Sequence, residues 1–395
     1  MSSAPQISGQ NKDITTLVST SQMVKHFPEE VICEFSKHIN KLSDLHALSL
    51  ASKHFFVTIF KNSFPAWSSL LASHFPSSFP INLPLNLPQP LPLPLYRNLT
   101  AIDSNMRAGT YQQLHILRGH ESTVDCLTVK DGMLISGSYN DQKIKIWDIA
   151  TGTELHTLEG LVYRLTVTDG KLISGATNGA IKIWDIKTGT ELESLDNHQE
   201  AIMSLTVKDG MLISGSVDGE IKIWDIANRK ELQTLNGHEY AVCCLTENNG
   251  VLFSGSTDHT IKIWDIATGT ELHTLTGHQG SVSCLAVNDG MLFSGSTDST
   301  IKIWDIATGT ELDTLTDDQD PVKCLAVKDG MLISGSEDGA IKIWDIATGT
   351  KLQTLNCHND PVYSLTLKDG ILISGSEDGA IKIWDFNPIS NDRNG

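Results

Sequence analysis

The residues of this sequence that could do chemistry come in sets that repeat. Trp-Asp pairs stand at Trp147, Trp184, Trp224, Trp264, Trp304, Trp344 and Trp384, spaced by 37 residues once and by 40 five times. Ahead of most of them lie a histidine, a serine and an aspartate at constant offsets. The sets are His198, Ser216, Asp218 and Trp224; His238, Ser256, Asp258 and Trp264; His278, Ser296, Asp298 and Trp304; and His358, Ser376, Asp378 and Trp384. Ser, His and Asp could supply a nucleophile, its general base and the carboxylate that orients the base. A set that recurs in repeat after repeat and ends on an indole donor instead has the form of a hydrogen-bonded chain holding strands together. No nucleotide-binding Gly-rich loop, metal-ligand cluster or unique nucleophile–base pair stands elsewhere. No catalytic residue, cofactor or metal is therefore expected.

Such sets need a scaffold with a 40-residue period, and residues 277–316 show its form. Gly277-His278 opens the unit, Ser281 to Val287 reads as a strand, and Asn288-Asp289-Gly290 as a turn. Met291 to Ser296 makes a second strand, Thr300 to Ile306 a third and Thr310 to Leu315 a fourth. In Ile301-Lys302-Ile303-Trp304 the isoleucines face one side and the tryptophan the other, a period of two that excludes an amphipathic helix. A sheet apolar on both faces must be covered on both, as a propeller blade is by its neighbours. The array's ends complete each other. The last repeat stops after its third strand, at Trp384, while Gln112 to Leu117 forms a fourth strand without a blade. Pairing them closes the ring and removes exposed edges.

Over about residues 111–387 the chain resembles the WD-repeat family, on the strength of Gly-His, Ser-Gly-Ser-x-Asp and Trp-Asp at fixed offsets. The resemblance implies a seven-bladed β-propeller in which His, Ser/Thr, Asp and Trp of each repeat tie its strands. Repeat one offers His120, Ser138 and Trp147, with Asn140 or Asp141 as the acid. Repeat two is three residues short, lacks Gly-His, and has Ala176 for Ser and Asn178 for Asp. These losses agree, since a buried aspartate without its histidine would be an unpaired charge. Repeat six puts Asp318 where histidine belongs, opposite Asp338. That blade is expected to open locally or to keep Asp318 turned to water.

Residues 26–76 have a different, helical character. Pro28 suits a first turn with Glu29 and Glu30 behind it. Val31, Ile32, Phe35 and Ile39 then recur at helical spacing, and Asp44 caps a second helix presenting Leu45 and Leu48. Phe27-Pro28-Glu29-Glu30-Val31, Asp44-Leu45, Leu48 to Phe55 and Ala66-Trp67 resemble an F-box. That resemblance implies a small α-helical domain docking on a Skp-type adaptor, and through it on a cullin complex, by Phe27, Pro28, Val31, Phe35, Ile39, Leu45 and Leu48. Residues 1–25 read as a disordered N-terminus, 77–110 as a proline-rich linker and 388–395 as a C-terminal tail.

The net charge of −18 is unevenly spread. Residues 1–110 hold 8 Lys/Arg and 6 Asp/Glu, which leaves 21 and 41 for the remainder. A domain near −20 repels phosphates, so no nucleic-acid partner is expected. No run of eighteen apolar residues is present, so no membrane span is expected either. Five of the seven cysteines, Cys126, Cys243, Cys244, Cys284 and Cys324, fall in the same segment of successive repeats, as buried free thiols of a reducing compartment would. The cytoplasm or nucleus is expected, or host cytosol for a secreted effector.

The two resemblances together imply the substrate-recognition adaptor of an SCF-type ubiquitin ligase, with a non-catalytic scaffold as the alternative. The substrate would meet the propeller at one mouth, where turns between second and third strands gather with the starts of first strands. In this family the mouth receives phosphorylated segments on arginines. The matching positions carry Tyr139, Thr177, Val217, Thr257, Thr297, Glu337 and Glu377 in the turns, and Asp125, Tyr163, Met203, Cys243, Ser283, Lys323 and Tyr363 in the strands. None is arginine, so a basic or aromatic-rich protein segment is expected, held by Asp125, Tyr139, Tyr163, Met203, Lys323, Glu337, Tyr363 and Glu377.

Overall fold

The computed structural model describes residues 111–386, apart from 197, 317–319 and 329, together with Asn105, Met106 and Ala108; of Asp196 only the backbone is described. All fall in one unit, Leu87–Gly395. The readings of residues 1–25, the F-box residues Phe27 to Leu48, most of the 77–110 linker, Asp318 and the 388–395 tail lie outside the described residues.

Twenty-eight strands among the described residues form seven four-stranded antiparallel sheets. Six are consecutive along the chain: blade 1 spans 126–159, blade 2 164–196, blade 3 202–235, blade 4 242–275, blade 5 282–316 and blade 6 322–356. Blade 7 joins 362–385 to strand β1, Gln112–Arg118. The joint pairs Gln113 with Trp384 and Leu117 with Ile381, with one register shift between Gln113 and His115. The closure expected from the two orphaned ends is thus the observed one.

Local sequence explains the tight turns. Asp131-Gly132, Asp209-Gly210, Asp289-Gly290 and Asp369-Gly370 each hold two consecutive positive φ values, for example 47° and 81° at Asp289 and Gly290. That is the turn whose twist matches a hairpin, and few residues other than Asp, Asn and Gly tolerate it. The glycine of each Ser-Gly-Ser answers a different need. A Cβ on Gly295 would lie 2.6 Å from both Cys284 Sγ and Val322 Cγ1, so the next blade seats its valine where a side chain would have been.

The core runs through the seams between blades. Ile135, Ile144 and Ile146 of blade 1 pack against Leu172 and Trp184 of blade 2. Ile173, Ile181 and Ile183 of blade 2 pack in turn against Leu212 and Trp224. The ring closes when Ile373, Ile381 and Ile383 of blade 7 meet Leu134 and Trp147 of blade 1. Each blade thus offers isoleucines forward and tryptophan backward, as the alternation in Ile-Lys-Ile-Trp requires. Two residues from the stretch read as linker join this core. Met106 is buried beside Met331, Trp384 and Phe386, and Asn105 Nδ2 donates to the Phe386 carbonyl at 2.8 Å.

Deleting residues 111–118 removes the outer strand of blade 7 and bares an unpaired edge. The expected result is a broadened, lower thermal transition with aggregation, read by circular dichroism and light scattering. A deletion variant as stable and monomeric as the parent would refute the closure.

Candidate functional site: the strand network and the channel mouth

In blade 4, His238 Nε2 lies 2.7 Å from Ser254 Oγ, and Trp264 Nε1 donates to the same oxygen at 2.8 Å. His238 Nδ1 is 2.8 Å from Asp258. Blade 5 repeats this with His278, Ser294, Trp304 and Asp298, and blade 1 with His120, Ser136, Trp147 and Asp141. Asp141 is therefore the acid of repeat one, and Asn140 instead reaches Ser122 Oγ.

The serine in each set is not the one expected. Ser214, Ser254, Ser294 and Ser374 meet the histidines, not Ser216, Ser256, Ser296 and Ser376. Both serines of Ser-Gly-Ser face the same way, so alternation alone does not separate them. Register does: Leu252 lies opposite Trp264 and Ser254 opposite Lys262, which puts Ser254 one diagonal step from the indole. Ser256 is roughly 7 Å further along the strand. It shapes the turn instead, donating to the Tyr240 carbonyl and accepting from the Asp258 amide. Ser376 makes the same two bonds, to Asp360 O and from Asp378 N. The serine of repeat two is accordingly not lost, since Ser174 accepts from Trp184 at 2.9 Å. Blade 6 likewise keeps Ser334 on Trp344. There Asp338 takes hydrogen bonds from Ser336 Oγ and the Ala340 amide, with Lys342 Nζ at 3.7 Å.

Two histidines lack the expected aspartate bond. His198 Nδ1 and His358 Nδ1 are buried without a hydrogen-bond partner, and Asp378 stops 3.7 Å from His358. In blades 4 and 5, Thr260 and Thr300 donate Oγ1 to the aspartate's other oxygen at 2.6 and 2.7 Å and hold it toward the histidine. Glu220 and Ala380 occupy that place in blades 3 and 7 and cannot do so. Burial drives the histidines toward the neutral form. His358 drops to about 4 through burial and then the Lys382 charge, and His238 is lowered by burial against the pull of Asp258. In blades 1, 3, 4 and 5 the serine that meets the histidine also accepts the indole N–H, so these sets are taken up by the fold.

At five of the positions expected at the mouth, the turn is tied to the first strand of its own blade. The amides of Val217, Thr257, Thr297, Glu337 and Glu377 donate to the carbonyls of Ala201, Ala241, Ser281, Pro321 and Pro361, two residues before the first-strand positions. Those first-strand residues, Met203, Cys243, Ser283, Lys323 and Tyr363, are the extra residues at a register shift in their strands. A bulge re-aims its side chain out of the ladder.

Blades 6, 7, 1 and 2, which are consecutive around the ring, carry nearly all of the mouth's charge and aromaticity. Lys323 Nζ is 2.9 Å from Glu337 and 5.8 Å from the Tyr363 ring centre, and the Tyr363 hydroxyl donates to Glu377 at 3.4 Å. Across blades 1 and 2 the Tyr139 and Tyr163 rings meet edge-on at 5.9 Å, and Asp125 accepts the Tyr139 amide at 2.8 Å. Burial raises the Asp125 carboxyl against the pull of that bond. Met203 is half-buried on the plainer arc, among Val217, Cys243, Thr257, Ser283 and Thr297.

Sequence reasoning missed Arg164, one residue past the mouth position. Its guanidinium lies 4.8 Å from the Tyr163 ring centre and donates to the Tyr163 carbonyl at 2.8 Å. It was legible as the one arginine at a place that holds cysteine or serine in the other six repeats. The mouth is therefore less acidic than its three carboxylates suggest. Below it, burial raises the thiols of Cys244 and Cys284 far above the ordinary range and that of Cys126 to about 12. The six described cysteines are free.

A family model described as WD domain, G-beta repeat, matches residues 111–148, 189–225, 229–265, 269–305, 309–345 and 349–385. The unmatched stretch, 149–188, holds most of blade 2, the blade without Gly-His or its aspartate. Three curated fungal relatives share short matches. A probable E3 ubiquitin ligase complex SCF subunit, sconB, of Talaromyces stipitatus is 39% identical over 64 residues, 16% of this chain and 9% of that protein. The probable subunit scon-2 of Neurospora crassa is 41% identical over 64 residues, 16% of this chain and 10% of its own. The probable subunit sconB of Arthroderma benhamiae is 56% identical over 43 residues, 11% and 6%. The chain thus spans a tenth or less of these relatives. Among solved structures, the computationally designed Ika8 protein matches with TM-score 0.59 and 35% identity, over 69% of this chain and 99% of its own.

Ser254→Ala unhooks both a buried imidazole and an indole, and is expected to cost about 2–4 kcal/mol. Ser256→Ala loses only its two part-buried turn bonds, about 1–2 kcal/mol in all. Denaturant unfolding of the two variants decides between them, and a larger loss at Ser256 would overturn the assignment. The pH dependence has a definite sign. The ordinary histidine value is 6.5 and that of folded His358 about 4, so the unfolded chain takes the proton first. The stability from a neutral His358 is full above pH 6.5 and is lost as pH falls toward 4. His358→Gln is expected to lose less thermal midpoint than the parent between pH 6.5 and 4. Parallel losses would refute it.

Proposed function

Because the chain belongs to the WD-repeat family, we propose that it is a non-catalytic substrate receptor of an SCF-type ubiquitin ligase. Its propeller holds a protein segment while the chemistry is done by an enzyme recruited elsewhere. The observation that carries this reading is the decorated arc of blades 6, 7, 1 and 2. There two aromatic–acidic clusters gather at the turns and first strands, while the histidine-bonded serines of blades 1, 3, 4 and 5 are taken up by the fold. The ligase coupling is supported by the F-box resemblance of residues 26–76 and by the printed names of the fungal relatives. Phe27, Pro28, Val31, Phe35, Ile39, Leu45 and Leu48 would meet a Skp-type adaptor, and the setting would be the cytoplasm or nucleus.

The substrate segment fitted by this arc is aromatic with one or two basic residues. Lys323 is paired to Glu337 and Arg164 lies near Asp125, so Glu377 is the exposed carboxylate with the most charge to spare. A cation placed over Tyr139, Tyr163 or Tyr363 would gain from the ring faces. A phosphate would meet only Lys323 and Arg164, each already engaged.

Two experiments separate the halves of the proposal. The full chain is expected to retain a purified Skp-type adaptor, and Phe35→Ala/Leu48→Ala to lose it without a change in the propeller's melting. A parent chain that fails to retain the adaptor removes the ligase coupling and leaves a scaffold. Peptide arrays are expected to select basic, aromatic segments, bound at least threefold more weakly by Glu337→Gln/Glu377→Gln. Selection of acidic or phosphorylated peptides would overturn the substrate reading, as would basic binding indifferent to the double substitution.

A further inference from the structure

Blade 3 departs from its sister blades at one spot. His198 is only 5% exposed, its Nε2 is taken by Ser214, and its Nδ1 is buried with no hydrogen-bond partner. Facing that nitrogen are two carboxylates, Asp218 and Glu220, where the other histidine-bearing blades present one. One ligand atom from each of the three residues lies within 4.8 Å of the other two.

Glu220 is surplus to the blade. The corresponding residues are Thr260, Thr300, Ala340 and Ala380 in blades 4 to 7, none of them charged. It lies 3.3 Å from Lys222 Nζ, yet Lys222 has Glu231 as well, at 3.4 Å. In blades 4 and 5 the matching lysines, Lys262 and Lys302, are served by Glu271 and Glu311. A second carboxylate beside Asp218 is a repulsive arrangement that the motif does not need. Beside an imidazole nitrogen with no hydrogen-bond partner, it is what a cation needs. Blade 7 is the internal contrast: His358 Nδ1 is open in the same way, but Ala380 leaves it a single carboxylate, Asp378.

We propose that His198 Nδ1, Asp218 and Glu220 bind a divalent transition metal, zinc by preference. One imidazole and two carboxylates form a mixed nitrogen–oxygen set that zinc accepts with water as its fourth ligand, and that calcium and magnesium, which favour all-oxygen shells, accept less well. Donors around a tetrahedral zinc stand roughly 3.4 Å apart. Drawing in the two carboxylates by about 1 Å closes the set. Asp218 is exposed, and the Glu220 side chain is 37% exposed, so both have room to turn. The three ligands are distant in sequence from any Cys/His cluster, which is why no ligand spacing marks them. The metal would stand where the His–Asp hydrogen bond stands in blades 1, 4 and 5. It would tie the segment entering blade 3 to the turn between Met211–Ser216 and Ile221–Asp225, beside Val217 at the mouth.

The test uses the full chain freed of metal by a chelator. Equimolar zinc is expected to be retained through desalting at one ion per chain and to raise the thermal midpoint, with magnesium and calcium giving no rise. Glu220→Ala installs the residue that blades 6 and 7 carry, so it folds, and it keeps every cysteine. It is expected to weaken zinc binding at least tenfold by calorimetric titration and to abolish the thermal rise, and Asp218→Asn to do the same. Failure of the parent to retain zinc overturns the proposal. Retention unchanged in Glu220→Ala overturns it too, because the ion then sits on thiols or surface carboxylates elsewhere.

Discussion

A sheet that is apolar on both faces has no side it can show to water, and this constraint governs the whole molecule. Ile-Lys-Ile-Trp makes every blade such a sheet, so each is stable only between two others, and a row of them is satisfied only when it meets its own beginning. Among the described residues, the pairing of Gln112–Arg118 with Ala380–Asp385 is the one strand pairing between the two ends of the array. Seven separate stacking interactions become one cooperative ring through it. What remains free to vary is what the seams do not use, namely the mouth and the outer rim.

The strand network has an order of importance that follows from burial. The indole N–H is fully enclosed, and a serine accepts it in blades 1 to 6. The histidine comes second, since blade 2 folds without one. The aspartate bond comes last, since blades 3 and 7 keep their histidines buried without it. Losses therefore accumulate from the outside inward. Blades 3 and 7 have loosened the aspartate, and blade 2 has given up both His and Asp.

Most of the fold was legible in the sequence because one period carried its own turns, alternation and closure. The serine identity was not, because Ser254 and Ser256 share a face and only cross-strand register distinguishes them. The mouth positions were legible as positions, since turn and bulge fall at constant offsets. Their electrostatics were not. Whether Lys323 adds charge or cancels Glu337 depends on a 2.9 Å contact, and Arg164 sits one residue beyond the pattern. His198 looked identical to His238 in sequence. They differ in that Glu220 stands where Thr260, and Thr300 in blade 5, donates to the aspartate.

The cysteines at the seams behave as a clock. Cys126, Cys284 and Cys324 lie against the glycine of the adjoining strand, and burial raises each thiol far above the ordinary range, so the nucleophilic thiolate does not form. While neighbouring blades stay stacked, an alkylating reagent finds neither access nor thiolate. Each modification therefore records a moment when two blades have parted. Because these thiols occupy blades 1, 5 and 6, their separate rates would show where around the ring the propeller first comes apart.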